Sequence, residues 1–81
     1  MYQIELTETS KKFIQKLDKK DSELLLNKIY QIRENPFRYL KKLQGDKLWR
    51  LRVADYRIVD VIVSMNKIIV IRIGHRKNVY D

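Results

Sequence analysis

Eighty-one residues with 44% hydrophobic content, two glycines and one proline describe a single folded domain over 1–81 and exclude a disordered or low-complexity chain; at this length folding buries only about 60% of the surface of the unfolded chain. There is no cysteine and only one histidine, which excludes a disulfide framework, a thiolate metal site and a histidine zinc site, and no cofactor is expected. The formal net charge of +8 is uneven: residues 1–37 hold seven Lys/Arg against six Asp/Glu, or +1, and residues 38–81 hold eleven against four, or +7, so the C-terminal half attracts polyanions such as nucleic acid, an acidic protein or an anionic membrane surface.

The start, MYQIELTETS, lacks a basic segment followed by an apolar run, and nothing approaches the ~20 apolar residues that span a bilayer. A soluble, unprocessed, cytoplasmic protein is the expectation. Tyr2, Ile4 and Leu6 alternate as a first strand. Thr7 or Thr9 caps a first helix to about Leu17, with Phe13, Ile14 and Leu17 at helical spacing. Asp18 or Asp21 caps a second helix, whose Leu25, Ile29 and Ile32 form an apolar stripe and which Pro36 ends at Asn35. FRYLKKLQGDK is a basic connection with a turn at Gly45 and Asp46. Three Val/Ile-rich strands follow, Leu48 to Val53, Tyr56 to Ser64 and Lys67 to Gly74, joined by hairpin turns at Ala54-Asp55 and Met65-Asn66. The fold class is therefore α+β: a small antiparallel sheet in the order strand-helix-helix-strand-strand-strand, with both helices on one face.

A two-residue loop at Ala54-Asp55 sets Arg52 opposite Arg57, Leu51 opposite Ile58 and Arg50 opposite Val59. The Met65-Asn66 turn sets Val59 opposite Arg72 and Arg57 opposite Gly74. Alternation then gathers Arg50, Arg52, Arg57 and Arg72 on one face, and Arg76 joins them if the strand continues in register. Val59, Val61, Val63, Ile68 and Val70 share that face in the same register. Ile58, Ile62, Ile69, Ile71 and Ile73 take the other, with Asp60 beside them. Like charges facing one another oppose folding by up to about 1 kcal/mol, while arginine presents a planar fork of donors that fits phosphate oxygens. The cluster reads as a phosphate cradle, with Lys47 and Lys77 as further RNA or phosphate contacts. In the tail IGHRKNVYD, His75 titrates near neutrality and is a reserve acid or base, and Tyr80 can stack on a base or take part in proton transfer.

The run NPFRYLKKLQGDKLWRLRVADYRIVDVI followed by VIRIGHRKNVY resembles the RelE toxins of the RelE/ParE superfamily, archaeal members above all, over essentially the whole chain. The resemblance implies a ribosome-dependent endoribonuclease that cuts mRNA in the A site and arrests translation, neutralised by a RelB-type antitoxin. It assigns the catalytic positions to Arg50, Arg52, Arg57, Arg76 and Tyr80. Three departures stand out. Arginine replaces the lysine that some relatives carry at positions 50 and 52, and it does not act readily as a base. RIVD replaces the commoner RIVY, setting Asp60 on the core face. The sequence stops one residue past Tyr80, so that tyrosine is expected to be ordered by the ribosome. The resemblance also admits a ParE-like protein that binds DNA gyrase without nuclease chemistry, and a plain nucleic-acid-binding module is the third reading. For the antitoxin, apolar surface beside strong positive charge favours an amphipathic acidic segment.

Overall fold

The computed structural model describes residues 1–42 and 47–76. Strand β1, Gln3–Leu6, leads directly into helix α1, Glu8–Gln15. The Thr7 hydroxyl accepts the Ser10 N–H at 3.2 Å, and the Asp18 carboxylate accepts the Asp21 N–H at 2.8 Å to open helix α2, Lys19–Gln31. Each cap satisfies one of the donors that a helix start leaves without an intrahelical partner. The second helix ends at Gln31, four residues short of Asn35. Pro36 instead opens a short helix α3, Pro36–Tyr39, because its fixed φ suits a first turn, where no N–H is needed.

Strands β2, Lys41–Lys42, β3, Trp49–Val53, β4, Tyr56–Val63, and β5, Lys67–His75, complete a five-stranded sheet in the order β1-β5-β4-β3-β2. The sheet is antiparallel from β2 to β5, but β1 joins the outer edge of β5 in parallel. Ile14 of α1 and Leu25 and Ile29 of α2 pack against Leu51, Val53, Ile58, Val61, Ile68, Val70 and Ile73 of the sheet. Both long helices thus cover one face, as expected. Where β1 stops at Leu6, hydroxyls replace the ladder: Thr7 Oγ1 donates to the Ile71 carbonyl at 2.7 Å, and Ser10 Oγ, fully buried, donates to that of Val70 at 2.9 Å. Carbonyls that a longer β1 would have satisfied are satisfied by the helix start.

The hairpin registers agree with the sequence reading at Arg52 opposite Arg57, Leu51 opposite Ile58, Val59 opposite Arg72 and Arg57 opposite Gly74. They part at Arg50. Between Trp49 and Leu51 the β3/β4 register shifts by one, so that Trp49 faces Val61 and Arg50 stands against both Val59 and Asp60. Asp60 lies at φ 55°, in the left-handed region, and forms a β-bulge. The β4/β5 pairing keeps one register on either side of it, so both strands change phase together. Val61, Ile68 and Val70 are therefore buried in the core rather than on the arginine face, and Val63 packs against them. Ile62, Ile69 and Ile71 move to the opposite face, where Ile62 is exposed. Asp60 moves with them, within 3.5 Å of Arg72 Nε.

At the other end of β4 the buried Tyr56 hydroxyl donates to Asp21 Oδ2 at 2.6 Å, tying α2 to the sheet. That hydrogen bond, the burial of the phenol and the nearby carboxylates of Asp21, Asp18 and Asp55 push its pKa up to about 12. A raised acid pKa means that the fold favours the protonated phenol, so its contribution is complete below pH 10 and is lost as pH rises from 10 toward about 12. Denaturant unfolding across that window should show stability falling for the native protein, and less steeply for Tyr56→Phe; parallel declines would contradict the linkage. In the neighbouring turn Ala54 holds φ 53°, a conformation that glycine adopts without the steric cost of a Cβ. Ala54→Gly is expected to raise the unfolding free energy by up to about 1 kcal/mol, and a loss of stability in the same melt would overturn the assignment of strain there.

Candidate functional site

The face of the sheet turned away from the two long helices holds the arginines. Arg52 and Arg57 face each other across β3 and β4, and β2 adds Lys41 opposite Arg50. Their side chains meet around a cleft of about 290 Å³ lined by Tyr39, Lys41, Arg50, Leu51, Arg52 and Arg57. Four of these six residues carry permanent or near-permanent positive charge, and none is acidic. Arg57 is half-buried, with Nε out of contact with solvent. Strand backbones fix where the guanidinium stems start, so the cradle is held in place by the ladder and not by a loop. Gly74, opposite Arg57, leaves the neighbouring position without a side chain that would fill it.

The expected set divides. Arg50, Arg52 and Arg57 come together in the cleft. The backbone N–H of Arg76 donates to the Asp55 carbonyl at 2.8 Å, which carries the β4/β5 register one step further; alternation from Gly74 then sets Arg76 on the side of Arg57. Arg72 lies on the same face, within 3.5 Å of the Asp60 carboxylate, and is not among the residues that line the cleft. Lys47 is exposed just ahead of β3. His75 goes elsewhere: its ring packs 5.0 Å from that of Tyr56 and 6.0 Å from that of Phe13, on the helix side of the sheet. Lys77 and Tyr80 lie outside the described residues.

Two cleft residues, Tyr39 and Lys41, were not singled out from the sequence. The signal for Lys41 was present in the basic run FRYLKK, but only its pairing with Arg50 in a two-residue strand gives it a place. Tyr39 depends on the extra helix that Pro36 opens. Among the described residues no group of three or more His, Asp or Glu converges as metal ligands do, and no helix is long and apolar enough to cross a membrane. What the cleft offers chemically is dense, preorganised positive charge on a rigid support, suited to a phosphodiester and to the charge that builds on it during transfer.

Comparison with known proteins points the same way. Among solved structures, the RelBE2 toxin–antitoxin complex from Mycobacterium tuberculosis contains a chain of TM-score 0.82 at 19% identity, covering 93% of this chain and 98% of that one. The RelE–RelB complex from Pyrococcus horikoshii OT3 gives 0.80 at 22%, with 95% and 97% covered, and the RelB–RelE complex from Methanococcus jannaschii 0.73 at 25%, with 95% of each covered. These likenesses establish a shared fold. No curated protein sequence matches this chain. The family model for the ParE toxin of the type II toxin-antitoxin system, parDE, matches residues 4–80, and with nearly the whole chain matched, the protein belongs to the ParE toxin family of type II toxin–antitoxin systems, within the RelE/ParE superfamily.

Proposed function

We propose that this toxin is a ribosome-dependent endoribonuclease that cuts mRNA in the A site, acting in the cytoplasm, without a metal cofactor, and held in check by a RelB-type antitoxin. The observation that carries the reading is the convergence of Arg50, Arg52 and Arg57 on one cleft of an uncovered sheet face. Adjacent like charges cost stability, and a fold that keeps them at a concave site favours a polyanionic substrate. The reaction is transesterification. The 2′-oxygen of one nucleotide attacks its own 3′-phosphorus as the bond to the next nucleotide's 5′-oxygen breaks, leaving a 2′,3′-cyclic phosphate and a 5′-hydroxyl. One proton leaves the 2′-hydroxyl and one reaches the departing oxygen, so nothing else is consumed. Arg57 and Arg76 bind the scissile phosphate and stabilise its developing charge, and Arg50 and Arg52 orient the backbone. Tyr80 stacks on or orients the flanking base. His75 is left out of the reacting set, because its ring packs against Phe13 and Tyr56 on the helix side.

The antitoxin is proposed to cover the same bare face. Ile62, Ile69 and Ile71 lie there beside the arginines, and an amphipathic acidic segment meets both kinds of surface. Losing one buried isoleucine contact is worth about 1.5–3 kcal/mol, so Ile62→Asp should weaken neutralisation by about tenfold or more while cleavage persists; unchanged neutralisation would place the antitoxin elsewhere.

The match to a ParE family model favours a second reading, inhibition of DNA gyrase by binding alone. Primer extension on a defined mRNA in a purified translation system, with and without ribosomes, separates the two. The nuclease reading expects A-site cuts that need the ribosome, a fall on the order of 10³-fold for Arg57→Ala, and cuts that persist in His75→Phe. Folded protein that leaves mRNA intact and blocks supercoiling by gyrase would establish the second reading instead.

A further inference from the structure

A second surface adjoins the cleft. Helix α3 and strand β2 carry Phe37, Arg38, Tyr39 and Lys42, and Trp49 of β3 stands beside them. Phe37 and Trp49 have ring centroids 5.1 Å apart at 58°, and the Phe37 side chain is 54% exposed although it is among the largest apolar groups of the chain. Each neighbouring ring has a cation beside it: Lys42 Nζ is 5.9 Å from the Trp49 ring, and Lys28 and Arg38 are 4.9 and 5.8 Å from that of Tyr39. From residue 28 to residue 42 the chain has five Lys/Arg and one acidic residue, Glu34. Lys42 and Trp49 pair on the alternate side of β2 and β3 from Lys41 and Arg50, and Tyr39, which lines the arginine cleft, bridges the two surfaces around this edge of the sheet.

We infer that the Phe37–Trp49 pair and the cations around it form a stacking platform for single-stranded RNA, which leads the strand toward the arginine cleft. Every base has a π face, so aromatic rings bind single strands with little sequence preference, and cations set among the rings meet the phosphates between stacked bases. An apolar protein partner accounts for the exposed phenylalanine alone and leaves the excess of cations unexplained. The inference deepens the RNA-directed reading proposed above, but its test needs neither ribosome nor cleavage.

Trp49 is the single tryptophan of the chain and reports directly on its own surroundings. Titration of the intact toxin with a short oligouridylate at low salt should quench Trp49 fluorescence saturably, with affinity falling as salt rises. Phe37→Ala should weaken binding by roughly 5- to 150-fold, the equivalent of about 1–3 kcal/mol for one stacked base, and Lys42→Gln should reduce the salt dependence. Because Phe37 is exposed, its truncation is not expected to unfold the chain, and circular dichroism verifies this. Arg57→Ala should keep the quench while losing cleavage, which separates failure of the platform from failure of the nuclease reading. RNA binding without a change in Trp49, equal affinity in Phe37→Ala, or an equal response to polyglutamate would each overturn the platform.

Discussion

The arrangement of both sheet faces depends on where the carboxylate of Asp60 goes. In a straight β4, Asp60 stays in phase with Ile58, which is fully buried beneath the helices. A carboxylate taken there without a partner costs several kcal/mol. A left-handed residue costs about 1–2 kcal/mol, and less for aspartate than for most others, because its short polar side chain bonds locally. The second cost is the smaller one, and the strand adopts it: Asp60 sits at φ 55° and turns out toward Arg72. That ion pair, at 3.5 Å and partly solvated, contributes little by itself. Its place in the fold comes from what the bulge does to the rest of β4 and β5, since either phase of these strands offers valines and isoleucines to the core. Apolar burial is nearly indifferent between them, and one charge decides.

The same bulge shapes the candidate site. It stops just short of the Arg52–Arg57 pair and leaves that pairing in register, so the cleft is built on the regular end of the hairpin. It also gives Arg72 a carboxylate neighbour, while Arg50, Arg52 and Arg57 line the cleft together. The arrangement sets like charges, Arg52 and Arg57, opposite one another across β3 and β4, which is locally unfavourable. Local conflict of this kind, tolerated on an otherwise consistent scaffold, is where function is expected.

Much of this was legible in the sequence, for reasons that can be named. Thr7 and Asp18 cap helices because hydroxyls and carboxylates ahead of amphipathic stretches do so wherever they occur, and the Ala54-Asp55 loop fixes the hairpin because two residues leave no slack in register. The apolar run from Ile58 to Val63 was different. Alternation assigns a face only when one phase is polar, and here both phases are apolar except at Asp60; that single exception was visible, but placing it on the core face missed that it reverses the faces of Val61, Ile62, Ile69 and Val70. The parallel pairing of β1 with β5 joins residues more than sixty positions apart, which no local pattern encodes. Pro36 is compatible with either the end of one helix or the start of the next, and the choice of the second brings Tyr39 to the cleft.

A cleft lined by arginines has a chemical consequence of its own under the nuclease reading. Guanidinium groups stabilise an anionic phosphorane well but do not exchange protons near neutrality, and the His75 ring packs against Phe13 and Tyr56 on the helix side. Such a site lowers the barrier through charge and geometry and leaves the 2′-hydroxyl poorly activated. Catalysis then depends strongly on in-line alignment of that oxygen with the scissile bond, where fixed orientation can supply several kcal/mol. A free, flexible RNA samples that alignment rarely. Under the nuclease reading, an mRNA already constrained in the decoding site is the substrate such a cleft would favour: the toxin would bring positive charge on a rigid sheet, and the substrate would have to arrive with its geometry largely set.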